Sequence, residues 1–265
     1  MRLKRLLLLV MLILPPASAL GSAGPIVAAA SSLQFALTEA AERFGAETGQ
    51  PLRLNFGASG NLQRQIAQGA PFELFLSADE AKVLALHADG LTEDRGVVYA
   101  RGRLAWLQRQ GRGDLPGPEA PLAGVRQAID AHRDGQGRAR LALANPQHAP
   151  YGVAARQALE RAGLWAPSEP LRILGENVSQ ATQFALAAEA RGGLVAYSLA
   201  LAPALVERGE HVLIPEAWHA PLNQRMALVQ GAGDTARAFY AWLQGAEARA
   251  ILATHGFAAP PGEGH

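Results

Sequence analysis

The sequence predicts an α/β protein of two lobes, each a mostly parallel sheet flanked by helices, joined by crossover strands. Three observations carry this. Short apolar runs, small-residue turns and amphipathic stretches follow one another repeatedly, which is the order that builds parallel sheets. The series occurs twice, interrupted at 111–121 by a stretch rich in Gly, Pro and charge. A chain of 265 residues, 49% hydrophobic, is enough for two lobes of roughly 100–130 residues with a buried core.

Pro25 to Ala30 reads as a buried strand. A helix follows, with Leu33, Ala36, Leu37, Ala40, Ala41 and Phe44 at three- and four-residue steps. Gly49 lies near its C-cap. Leu52 to Phe56 alternates as a strand, Gly57-Ala58-Ser59-Gly60 is a turn, and Asn61 to Gln68 opens a helix. Phe72 to Leu76 is the next strand, and Ser77-Ala78-Asp79 starts another helix, with Asp79 and Glu80 capping and charging it. Val97 to Leu107 is a longer alternating stretch.

After the 111–121 loop come a strand at Arg140 to Ala144, a loop at Asn145 to Tyr151 and a helix at Gly152 to Ala162. Leu171 to Leu174 is a strand, a helix starts near Val178, and Gly193 to Tyr197 and Arg225 to Gln230 are strands. A helix from Thr235 to Leu252 follows. The stretches near 97–107 and 222–230 are the expected crossings. Lobe one then comprises 25–103 plus 227–258, lobe two 104–226, and 259–265 a C-terminal tail. Trp106, Trp165, Trp218 and Trp242 read as core or interface residues.

Residues 1–19 read as a signal peptide. Arg2, Lys4 and Arg5 precede nine unbroken apolar residues, Leu6 to Leu14, and Ala17-Ser18-Ala19 supplies a cleavage site. Nine residues are too few to span a bilayer, which needs about 20. Cleavage after Ala19 removes three cations and leaves 21 basic against 23 acidic residues, a net charge of −2. The expected location is the periplasm, as a soluble chain. With no Cys there is no disulfide, thiolate metal site, thiol nucleophile or cysteine-linked lipid. The near-neutral charge argues against nucleic acid.

Enzyme signatures are absent or incomplete. There is no P-loop and no complete dinucleotide fingerprint. Gly57 to Asn61 approaches a G-x-S-x-G nucleophile elbow but ends in Asn61 rather than glycine. The seven histidines form no zinc-binding pair. His148 stands out for its Pro-rich loop beside Tyr151, although the plainer reading is an exposed loop residue.

Ser31-Ser32, Ala58-Ser59-Gly60, Tyr151-Gly152 and Asn177-Val178 all fall where strands give way to helices. Ligands of parallel α/β sheets bind there, and helix starts offer unpaired N–H groups. These turns together suit an anion held by neutral donors. Taken singly, each serine reads first as an ordinary N-cap.

Five segments carry a resemblance: AAASSLQFAL (28–37), NFGASGNLQRQIAQGAPFELFLSADE (55–80), LALANPQHAPYGVAARQAL (141–159), GENVSQATQFAL (175–186) and GLVAYSLA (193–200). In this order and spacing the chain resembles the periplasmic molybdate-binding proteins, the receptors of molybdate ABC importers. Glu73 stands where that family often has Asp. The resemblance implies a type II periplasmic-binding-protein fold and no enzymatic activity. It implies a molybdate oxyanion ligand, and tungstate with it, no resident cofactor, and an inner-membrane ABC permease as partner to a monomeric receptor.

It also implies hydroxyl and amide donors at Ser32, with Ser31 beside it, and at Ser59. Backbone donors fall on Tyr151 and Val178, and a phenol donor on Tyr197. Molybdenum would be bound only as molybdate, through these residues. The alternatives are a receptor for sulfate or phosphate, a secreted serine hydrolase built on Ser59, or a ligand-sensing module detached from a regulator.

Overall fold

Two five-stranded sheets organise the chain in a computed structural model that describes residues 24–137, 139–260 and 262. The expected signal peptide lies outside the described residues. The first sheet contains β1 (Ile26–Ala30), β2 (Arg53–Gly57), β3 (Phe72–Ser77), β4 (Val97–Gly102) and β10 (Leu222–Leu228), in the order β2-β1-β3-β10-β4. The second contains β5 (Leu104–Arg109), β6 (Arg140–Ala144), β7 (Arg172–Gly175), β8 (Ala190–Ala196) and β9 (Gly209–Leu213), in the order β7-β6-β8-β5-β9. In each sheet three adjacent strands pair in parallel, and the fourth, β10 in the first sheet and β5 in the second, runs antiparallel to both of its neighbours. Both sheets are therefore mixed at one side only.

Helices α1 (Gln34–Thr48), α2 (Ser59–Ala67) and α3 (Glu80–Ala88) follow the first three strands. α4 (Ala123–Arg133), α5 (Pro150–Arg161) and α6 (Val178–Ala185) belong to the second lobe, with the short α7 (Tyr197–Ala200) and α8 (Pro203–Val206). α9 (Asp234–Trp242) and α10 (Ala246–Thr254) return to the first lobe, where Phe239 meets Phe44 of α1 at 5.1 Å between ring centroids. The central strand β1 is covered on both faces, so Val27, Ala28 and Ala29 are fully buried and the run reads as continuous rather than alternating. Gly49 closes α1 in the left-handed region at φ 70°, which glycine adopts without steric cost.

The structure corrects several boundaries. The stretch 97–107 is two strands, because Arg103 interrupts it: β4 pairs with β10 in one sheet, and β5 pairs with β8 and β9 in the other. The return crossing ends before Leu222, since all of β10 lies in the first sheet. The break expected at 226/227 falls inside that strand. The expected helix 235–252 is two helices separated at Gly245. α4 and β9 were not anticipated. Ala258, the last residue before the expected tail, bridges Arg101.

Candidate functional site

The C-terminal ends of β1, β2, β3, β6 and β7 all face the junction of the two lobes, and each hands the chain to a helix start there. Between them lies a small pocket with a cavity volume of about 10 Å³. Ser31, Ser32 and Ser59 line it from the first lobe, and Tyr151 and Val178 from the second. Among the described residues no charged side chain lines it. Ala30, Ala58, Ala78 and Ala149 fill the intervals, and their methyl groups leave the backbone accessible.

The helix starts at this point lack side-chain caps. Ala30, Ala58 and Ala149 occupy the N-cap positions of the Ser31–Leu33 3₁₀ turn, α2 and α5, and none of them supplies a capping hydrogen bond. The first amides of a helix have no intrahelical acceptor, and here an alanine has replaced the residue that ordinarily satisfies one. By contrast, Asp79 caps α3 through the Ala81 amide and Asn177 caps α6 through the Gln180 amide. The N-cap reading of the serines therefore gives way. Ser59 is the first residue of α2, not its cap, and its Oγ accepts the Ala78 amide at 3.0 Å. That contact occupies a lone pair and leaves the hydroxyl proton free to be donated. The Ser32 hydroxyl is buried without a partner, which is costly unless a ligand satisfies it.

The lobes touch on both flanks of the pocket. On one side the Ser198 and Ser179 hydroxyls donate to the carbonyls of Ser32 and Ser31, at 2.7 and 3.2 Å. On the other, the Gly60 amide donates to the His148 carbonyl at 2.9 Å, and Asn61 Nδ2 donates to Glu176 Oε1. His148 and Glu176 do not line the pocket. The imidazole Nε2 lies 2.9 Å from the Glu176 carbonyl and 3.2 Å from its carboxylate. Since both partners accept, Nε2 carries the proton. This imidazole is committed to Glu176, so it is not placed as a base for Ser59.

Among the described residues no group of His, Asp and Glu is arranged to hold a metal ion, and no helix is long and apolar enough to cross a membrane. Residues 26–258 match the family described as bacterial extracellular solute-binding protein. The chain belongs to that family. It is 32% identical to the molybdate-binding protein ModA of Rhodobacter capsulatus, over 89% of each chain. Identity to ModA of Escherichia coli is also 32%, over 91% of each. The periplasmic molybdate-binding protein of Azotobacter vinelandii superposes with a TM-score of 0.78 at 28% identity, covering 89% of this chain and 99% of that one. The sulfate-binding protein SubI of Mycobacterium tuberculosis, at 15% identity and a TM-score of 0.70, shares the fold.

Of the six site residues expected in this solute-binding protein, the pocket gathers five and leaves out Tyr197. The Tyr197 ring lies beneath the Arg103 guanidinium, 4.5 Å from it, and meets His211 edge-on at 5.3 Å. β8 ends at the fully buried Ala196, and a one-residue offset at the end of a strand turns a side chain to a different face. Tyr197→Phe is therefore expected to leave anion affinity within about twofold of the parent, against the roughly 12- to 150-fold loss that one charged hydrogen bond represents. Calorimetric titration distinguishes the two.

Tyr151 contributes in a way the sequence did not reveal. Its phenol is buried and lies against Gly102, where the chain crosses between lobes. Burial pushes this phenol well above its ordinary pKa, and the nearby Ser32 hydroxyl and Arg103 charge act the other way. It therefore remains protonated throughout the physiological range. Its neighbour Tyr99 is raised likewise by burial and by Tyr151.

Proposed function

We propose that this solute-binding protein captures molybdate, and tungstate with it, in the interlobe pocket and presents it to an inner-membrane ABC importer. One observation carries the reading: the pocket is lined by hydroxyls and helix-start amides, with no carboxylate among them. Glu176, the carboxylate two residues before Val178, is held by Asn61 and His148. Phosphate near pH 7 still carries a proton and needs an acceptor for it. A fully ionised tetrahedral dianion presents acceptors only, and matches an all-donor site.

Hydrogen bonds to a charged group contribute about 1.5–3 kcal/mol each, so several together support micromolar or tighter binding. The neutral donors also reconcile an anion receptor with a net charge of −2 after removal of residues 1–19. Molybdate and tungstate have longer bonds to oxygen than sulfate, so the cavity discriminates by size. No covalent step and no resident cofactor enter this reading. The ligand bridges two lobes, favours their closed arrangement and so reports loading to the permease. The chain acts as a free monomer in the periplasm, delivered there by the 1–19 segment.

Titration calorimetry of the mature chain with molybdate, with sulfate as competitor, tests the reading. Tight molybdate binding that sulfate does not displace is expected. A thermal-shift panel in which sulfate or phosphate alone raises the melting point overturns it. Ser59→Ala removes a donor from a buried site and leaves the Ala78 amide without its acceptor, and is expected to weaken molybdate binding by about 1–3 kcal/mol, with a lower melting point of the ligand-free chain. Unchanged affinity removes Ser59 from the site.

A further inference from the structure

Outside the pocket, four polar side chains form a continuous chain from one lobe to the other. Arg64 Nη2 donates to Asn61 Oδ1, and Asn61 Nδ2 donates to Glu176 Oε1. Glu176 in turn receives His148 Nε2 on both its carbonyl and its carboxylate. The polarity is consistent throughout: a cation and an imidazole donate inward from the two ends, and a single carboxylate terminates both runs. Only one orientation of the Asn61 amide satisfies Arg64 and Glu176 together. Arg64 and Asn61 lie on α2, and His148 and Glu176 on the loops before α5 and α6, so the link joins the three helix starts that carry the proposed anion donors Ser59, Tyr151 and Val178. The Gly60 amide, bonded to the His148 carbonyl at 2.9 Å, ties the same two segments through the backbone.

We propose that Asn61, Glu176 and His148 form a clasp that sets how long a bound anion stays in the pocket. The inference rests on the anion-binding reading and adds a kinetic role to it. The Asn61–Glu176 contact joins the two lobes, so it exists only while they are closed. An anion arrives at the open form and leaves after reopening, so an interlobe contact slows departure and leaves capture unchanged. The Glu176 side chain is 61% exposed, and an exposed pair contributes modestly. Breaking it should therefore speed release by about three- to tenfold. These are positioning residues, since none of them touches the anion.

Stopped-flow fluorescence on the mature chain measures the two rate constants separately, with molybdate as probe and sulfate in a parallel series. Asn61→Ala and Glu176→Ala are each expected to raise the dissociation rate about three- to tenfold with association within about twofold of the parent. The double variant should release no faster than the faster single one, because both substitutions break the same link. Asn61→Asp, which sets a carboxylate against Glu176, should release faster than Asn61→Ala. A merely structural role would lower the melting point of the ligand-free chain and would not separate the two rates. Dissociation rates equal to the parent's in Asn61→Ala and Glu176→Ala overturn the clasp and leave the molybdate reading standing. A parent that responds to sulfate alone overturns the molybdate reading, and the clasp is then judged on the sulfate rates. A parent that responds to neither overturns both.

Discussion

Gly60→Ala is expected to weaken molybdate binding about five- to 150-fold, the range that corresponds to 1–3 kcal/mol of overpacking, while the ligand-free protein loses no stability. A Cβ at this position would lie 2.8 Å from the His148 carbonyl oxygen and 3.1 Å from its Cα. Both are backbone atoms of the opposite lobe and cannot rotate away. The close approach exists because the Gly60 amide bonds that same carbonyl. Within its own lobe Gly60 is the second residue of α2, where alanine is the better helix former by about 1 kcal/mol. The substitution therefore obstructs closure and nothing else. Calorimetry should record the loss of affinity, and thermal melting of the ligand-free chain an unchanged or slightly higher midpoint. Parent-like affinity would mean that the lobes do not need this approach to hold the anion.

Much of the site was legible because its parts are local. A strand end, a small residue and a helix start occupy consecutive positions, so Ser31, Ser32, Ser59, Tyr151 and Val178 are all marked by turns a few residues long. What escaped depends on distant parts of the chain. Asn61 and Glu176 are 115 residues apart, and no pattern of either segment announces their contact. The role of the Ala78 amide, which fixes the Ser59 hydroxyl, likewise needs two strand ends to be adjacent.

Tyr197 shows the opposite limit. Its segment matches in spacing, yet a single position at the end of β8 decides which way the ring points, and the ring went under Arg103. The interruption at Arg103 was hidden because β4 and β5 are both apolar and extended. Only their different sheet partners separate them. β9 was missed because Glu210 and His211 break its apolar alternation at an edge position, where pairing with β5 alone holds it.

Gly152→Ala is expected to do what Gly60→Ala does not, and lower both stability and affinity. Its Cβ would collide with the carbonyl oxygen of Ala144 and lie 2.8 Å from the carbonyl carbons of Ala144 and Asn145. These atoms form the end of β6 in the same lobe, so the clash is present whether the lobes are open or closed. The first turn of α5 must then lift from the sheet. Tyr151, immediately before, would carry its amide out of the pocket and its buried phenol away from Gly102. Forcing a methyl group into a packed interior costs about 1–3 kcal/mol, and more where backbone must yield. Urea denaturation of the ligand-free chain should show a lower midpoint with an unchanged slope, and calorimetry a weakened molybdate affinity. A variant as stable as the parent would mean that α5 can rise from β6 without cost. Retained affinity alongside reduced stability would show that the Tyr151 amide is not among the donors. The two glycines thus separate what the sequence leaves merged: one lets the lobes meet, and the other lets a single lobe present its helix start to the anion.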